Sequence, residues 1–181
     1  MRLRSGLPSL RNGPLARVVF GAFHDAKERF GARLVQFSVQ SNHLHMLVEV
    51  DEHRALGRAM KGLAVRIARR LNGALDQRGR VFSDRYHARA LRTPLEVRRA
   101  LVYVLRNCDK HSANARRSSH VDPLSTAVYF DGFTASFWAQ SASERAPPEA
   151  SAPVARPKTW LLSVGWRRLG LLEAHDTPSV H

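Results

Sequence analysis

Two histidines one residue apart in "SNHLHMLVEV" (41–50) and one tyrosine in "LVYVLRN" (101–107) are the residues best equipped for chemistry. On a strand alternate side chains share a face, so His43, His45, Leu47 and Glu49 point one way and Leu44, Met46, Val48 and Val50 the other. The second set is an ordinary core face. The first begins with two imidazoles whose nitrogens can converge on one point, as a strand presents two ligands to a metal ion. The pair alone carries little weight, because 9 His in 181 residues give roughly 0.4 His-x-His pairs by chance. A structural zinc site is not expected, since no Cys-x-x-Cys motif accompanies the pair.

Tyr103 sits on the best-signalled helix, "RTPLEVRRALVYVLRNCDKH" (92–111). Val97, Leu101, Val104, Leu105 and Cys108 make its buried stripe at about 100° per residue. Tyr103 lies off that stripe among Glu96, Arg99, Arg106, Asn107 and Lys110, with Asn107 one turn further along the same surface. An amphipathic tyrosine covering a helix–sheet seam is the structural alternative. Two histidines and the Asn107 oxygen together make three ligands with open positions, the arrangement of a catalytic metal centre. Beside such an ion Tyr103 is a nucleophile for phosphorus. Its phenol, with an unperturbed pKa of about 10, then needs a base or the positive field of Arg99, Arg106 and Lys110.

The elements that must position these groups are legible in the periodicity. "PLARVVFGAFHDAKERFG" (14–31) starts with a proline suited to a first helical position and stops at Gly31. "RLVQFSVQ" (33–40) alternates Val35, Phe37 and Val39 with polar residues, and a turn at Ser41–Asn42 joins it to 43–50 as a hairpin. Residues 54–75 form a helix with Leu56, Met60, Leu63, Ile67 and Leu71 on one side. Arg58, Lys61, Arg69 and Arg70 lie elsewhere on it, facing a nucleic-acid backbone or simply solvent, as does Arg66. "RVFSDRYHARAL" (80–91) reads as a strand of mixed faces, and Thr93, Pro94 and Glu96 form a capping box for 92–111. The order is most of an α+β, ferredoxin-like βαββαβ unit, with "MRLR" the sole candidate for its first strand.

"NHLHMLVE", with "YVLRN" some sixty residues later, resembles the single-tyrosine HUH transposases, particularly the REP-associated tyrosine transposases. "GRVFSDRYHARAL" is similar to the family's strand before the tyrosine helix, and the resemblance spans roughly residues 1–133. It implies a ferredoxin-like sheet carrying His43 and His45 as metal ligands with Asn107, and Tyr103 as nucleophile on an added helix. The implied reaction cleaves single-stranded DNA through a 5′-phosphotyrosine link, frees a 3′-hydroxyl and then transfers the strand. Mg²⁺ or Mn²⁺ is the implied ion, and two imidazoles suit Mn²⁺ better. Two departures stand out: Cys108 follows Asn107 where the family often has proline, and the first strand has only four residues. A misassigned chain start is the expected reason for the second.

Composition agrees. Net charge is +14, and 25 Arg outnumber 4 Lys; guanidinium forks suit phosphate oxygens, although genomic bias also enriches arginine. The expected partner is single-stranded or hairpin DNA, bound by Arg99, Arg106, Lys110, Arg58, Lys61, Arg69 and Arg70; a homodimer is compatible with this. One cysteine, no long apolar run and no secretory leader suggest a cytoplasmic, nucleoid-associated protein. Residues 1–133 are expected to form the catalytic domain, 134–157 a disordered Ala/Pro/Ser-rich linker, and 158–181 a basic tail. Tyr86 is the rival nucleophile, without an amide four residues on. His87 and His111 read as surface or capping residues, and Trp160 and Trp166 as packing residues rather than base-stacking ones. The competing readings are a non-catalytic nucleic-acid-binding module, which lacks an RNP-like string here, and an inactive copy that still binds hairpins.

Overall fold

Three antiparallel strands, β1 (Glu28–Arg29), β2 (Ala32–Val39) and β3 (Leu44–Val50), pair in that order in the computed structural model, which describes residues 1–106, 121–141, 143, 145–147 and 151–178. Helices α1 (Gly13–Ala26), α2 (His53–Ala74), α3 (Pro94–Leu105), α4 (Ala135–Gln140) and α5 (Trp160–Ser163) surround the sheet, so the architecture is α+β. No helix among the described residues is long and apolar enough to cross a membrane.

The hairpin's apolar alternation closes two cores. On one side Leu15, Val19 and Phe23 of α1 and Leu63, Ile67 and Leu71 of α2 pack on Leu34, Phe37, Val39 and Leu44. On the other side Leu47 packs with Val97, Leu101 and Val104 of α3 and with Phe130, Phe137 and Trp166. Strand β2 is therefore buried almost throughout instead of half-buried. A bulge between Leu34 and Gln36 makes Val35 an extra residue in the register. The phase shifts there, so Leu34 rather than Val35 joins Phe37 and Val39 in the first core.

Helix α1 ends at Ala26 instead of running to Gly31, because Phe30 (φ 58°) and Gly31 (φ 71°) turn the chain through the left-handed region into β2. The region 80–91 is not the expected strand. Leu3 and Phe82 form one isolated bridge, Arg2 and His43 another, and 84–91 have no regular structure. The Arg80 guanidinium is spent on the carbonyls of Phe82 and Ser83, and the charged run that follows has no apolar face to bury. Residues 1–4 do lie between the start of β3 and residues 81–83: Leu3 N–H donates to Asn42 O, Leu44 N–H to Met1 O and Ser83 N–H to Arg2 O.

The expected linker and tail need revision. Thr134 caps α4, whose Phe137 is fully buried, Val154 packs against the first core, and Ala155 N–H donates to Leu34 O. Trp166, at 1% exposure, is a core residue, so packing draws no domain boundary at 133. The pattern hid this because short segments bury single large side chains without a sustained period.

Candidate active site

The capping box that starts α3 is present: Glu96 N–H donates to Thr93 Oγ1 at 3.2 Å, and Thr93 N–H donates to the Glu96 carboxylate at 3.1 Å. With that start fixed, Val97, Leu101, Val104 and Leu105 seat the helix on the sheet, and Tyr103 is carried to the histidine face of β3. Tyr103 Oη lies 3.5 Å from His45 Nε2. The two rings meet edge to face, 4.8 Å between centroids at 87°, and the His43 and His45 rings stand 4.5 Å apart at 86°. Sequence positions 43, 45 and 103 thus occupy one corner and line a cleft of about 820 Å³.

His43 Nδ1 lies 2.8 Å from Asn42 Oδ1; donation there leaves Nε2 as the lone-pair nitrogen, the tautomer a metal-binding imidazole needs. The two imidazoles suit a borderline divalent ion by their chemistry, and their rings are neighbours. Among the described residues no group of three or more His, Cys, Asp or Glu lies together, so any third ligand is of another type or lies elsewhere. Asn107, like Lys110, Cys108 and His111, falls outside the described residues.

Glu49, four residues past His45 on the same strand, is 4% exposed. Its carboxylate accepts from Arg33 Nε at 3.2 Å, Lys158 N–H at 2.8 Å and Thr159 N–H at 2.9 Å, and from the Thr159 hydroxyl. Burial pushes its pKa up, but the Thr159, Lys158 and Arg33 hydrogen bonds outweigh that and hold it below the ordinary value. Nothing in the local pattern flagged Glu49, because two of its three partner residues, Lys158 and Thr159, lie more than a hundred residues downstream.

The basic residues divide. Arg58, Lys61, Arg69 and Arg99 are exposed, and Arg99 stands one turn before Tyr103. Arg70 is paired with Asp25, joining α2 to α1. Arg106 is not a surface cation: it is 1% exposed, and its Nη1 donates to the carbonyls of Glu173, Ala174 and Asp176 at 2.9, 2.6 and 2.6 Å. At the C-cap the backbone leaves helical angles, which turns the side chain inward. Tyr86 and His87 line the cleft, with the Tyr86 hydroxyl set against Gly57 of α2. Trp160 is half-exposed, with Arg168 5.3 Å over its ring.

The paired imidazoles of the sheet and the phenol that α3 brings to them form one cluster. A protein-family model described as "Transposase IS200 like" matches residues 9–106, more than half of the chain, and the chain belongs to that family. The match takes in both histidines and Tyr103, and makes transposition the role and DNA the partner. Neither the curated proteins nor the solved structures yielded a match.

Proposed function

We propose that the chain is a metal-dependent single-tyrosine transposase that cleaves single-stranded DNA and rejoins it through a 5′-phosphotyrosine intermediate. The supporting observation is the 3.5 Å approach of the Tyr103 hydroxyl to His45, between residues 58 positions apart. The cross-sheet order 81–83, 1–4, β3, β2 supports a ferredoxin-like scaffold.

Tyr103 Oη would form the new bond to phosphorus, while the bond from phosphorus to the 3′-side oxygen breaks and that oxygen leaves as a 3′-hydroxyl after taking up a proton. The phosphodiester count is unchanged, so attack by another 3′-hydroxyl rejoins strands without an external energy source. His43 and His45, with Asn107, would hold Mg²⁺ or Mn²⁺, which supplies Lewis acidity toward the phosphate oxygens. Exposed Arg99 contributes positive field near the phenol, and Arg58, Lys61 and Arg69 offer contacts along the DNA backbone. Arg106 has no direct part in this. Action on nucleoid DNA in the cytoplasm follows from this reading.

The test is an SDS-resistant protein–DNA adduct formed with labelled single-stranded hairpin DNA and Mn²⁺. The adduct is expected from the native chain and from Tyr86→Phe, and not from Tyr103→Phe or with EDTA. Loss in Tyr86→Phe alone moves the nucleophile. Salt-sensitive binding with no adduct from any form replaces the enzyme by a binding module.

A further inference from the structure

Three groups that the cutting chemistry does not use, Glu49, Arg98 and Arg106, converge on one segment. Residues 158–176 lie beyond the stretch matched by the family model, yet touch both halves of the site. At one end, Glu49 of the histidine strand accepts the Lys158 and Thr159 backbone N–H groups at 2.8 and 2.9 Å. In the middle, Trp166 is buried against Phe130 and its Nε1 donates to Leu162 O at 3.1 Å. At the other end the segment is gripped from the tyrosine helix. Arg98 makes a two-pronged pair with Asp176, 2.8 Å on each arm, and donates to Leu171 O. Arg106 donates to three carbonyls between residues 173 and 176. Arg98 and Arg106 flank Tyr103, five residues before and three after.

We propose that residues 158–176 act as an intramolecular strut that ties the histidine strand to the tyrosine helix, with Arg98 and Arg106 as positioning residues for Tyr103. The proposal rests on the reading of Tyr103 as nucleophile. Burial alone would be served by apolar contacts. Instead, two arginines hold backbone carbonyls, which fix direction as well as distance. Bidentate pairing also resists the rotation of α3 that would swing the phenol off the imidazoles, and displacement of about 1 Å in such a group costs on the order of a hundredfold in rate.

Asp176→Asn keeps the shape and removes the charge that Arg98 holds. Two readings are made on it and on the native chain. The first is hydrogen exchange of the α3 amides, which reports anchoring whether or not DNA is cut. The second is the single-turnover rate of adduct formation at saturating hairpin DNA, at a temperature where both proteins are folded. Expected are faster exchange confined to α3 and the strut, and adduct formation slowed about tenfold with DNA affinity changed less than about twofold. Unchanged α3 exchange overturns the strut, even if the native chain makes no adduct and the cleavage reading falls separately. Altered exchange with an unchanged rate overturns the positioning role. Arg98→Lys, which keeps charge without the fork, is expected to give an intermediate rate; a fully native rate also overturns positioning.

Discussion

His45 and Tyr103 meet edge to face, and under the proposed reading two kinds of residue surround that contact: those that would hold the ion or attack the phosphate, and those that keep them in place. His43→Ala belongs to the first kind. It is expected to abolish adduct formation while leaving hairpin affinity within about threefold of native by fluorescence anisotropy, because arginines spread over a wide surface carry the phosphate binding. Arg106 belongs to the second. Arg106→Met removes the donor shared by three partly buried carbonyls, and urea denaturation is expected to show a loss of about 2–4 kcal/mol. A loss of affinity with unchanged stability would instead return Arg106 to the DNA-contacting set.

At the scale of elements, α3 depends on its first turn and on the strut. Thr93→Ala deletes one half of the capping box and is expected to cost about 1 kcal/mol, read as a lower midpoint in denaturant. The joint between β3 and the strut has a pH signature. Glu49 has its folded-state pKa held below the ordinary carboxylate value, despite burial, by hydrogen bonds from Thr159, Lys158 and Arg33. The unfolded chain therefore takes up the proton first as pH falls. The contribution of Glu49 is fully present above its unfolded pKa and is lost as pH drops through the folded value. Melting temperature is expected to fall as pH drops below the ordinary glutamate pKa of about 4.3, and less steeply in Glu49→Gln; parallel slopes would remove Glu49 as the cause.

For the whole molecule, a net charge of +14 predicts strongly salt-dependent DNA binding. Exposed Arg99 stands next to the proposed chemistry, so Arg99→Gln is expected to reduce the slope of log affinity against log salt by about 0.7 for a single strand. An unchanged slope places Arg99 outside the contacted surface. Packing also unites the chain: the C-terminal segment closes the same core as α3, and Gly132 shows how tightly, since a methyl there would collide with both Trp166 and Phe130. Gly132→Ala is expected to lower the melting temperature while leaving residues on the α1–α2 side of the sheet native in hydrogen exchange.

The histidine hairpin, the α2 stripe and the capped tyrosine helix were legible in the sequence because each rests on local rules: alternation on a strand, helical period and a side chain reaching its own backbone three residues away. The pairing of 43, 45 and 103 could be named from residue types, and the family from the same motifs. Other features depended on contacts between residues far apart in the chain. Among these are the burial of Arg106, the carboxylate of Glu49 held by residues 158 and 159, and the insertion of Trp166. No local pattern encodes them, since the burial of an arginine such as Arg106 is set by which distant carbonyls come within reach. Tertiary structure therefore decided what holds the tyrosine in place, whereas the sequence by itself had already determined which residues it would be held against.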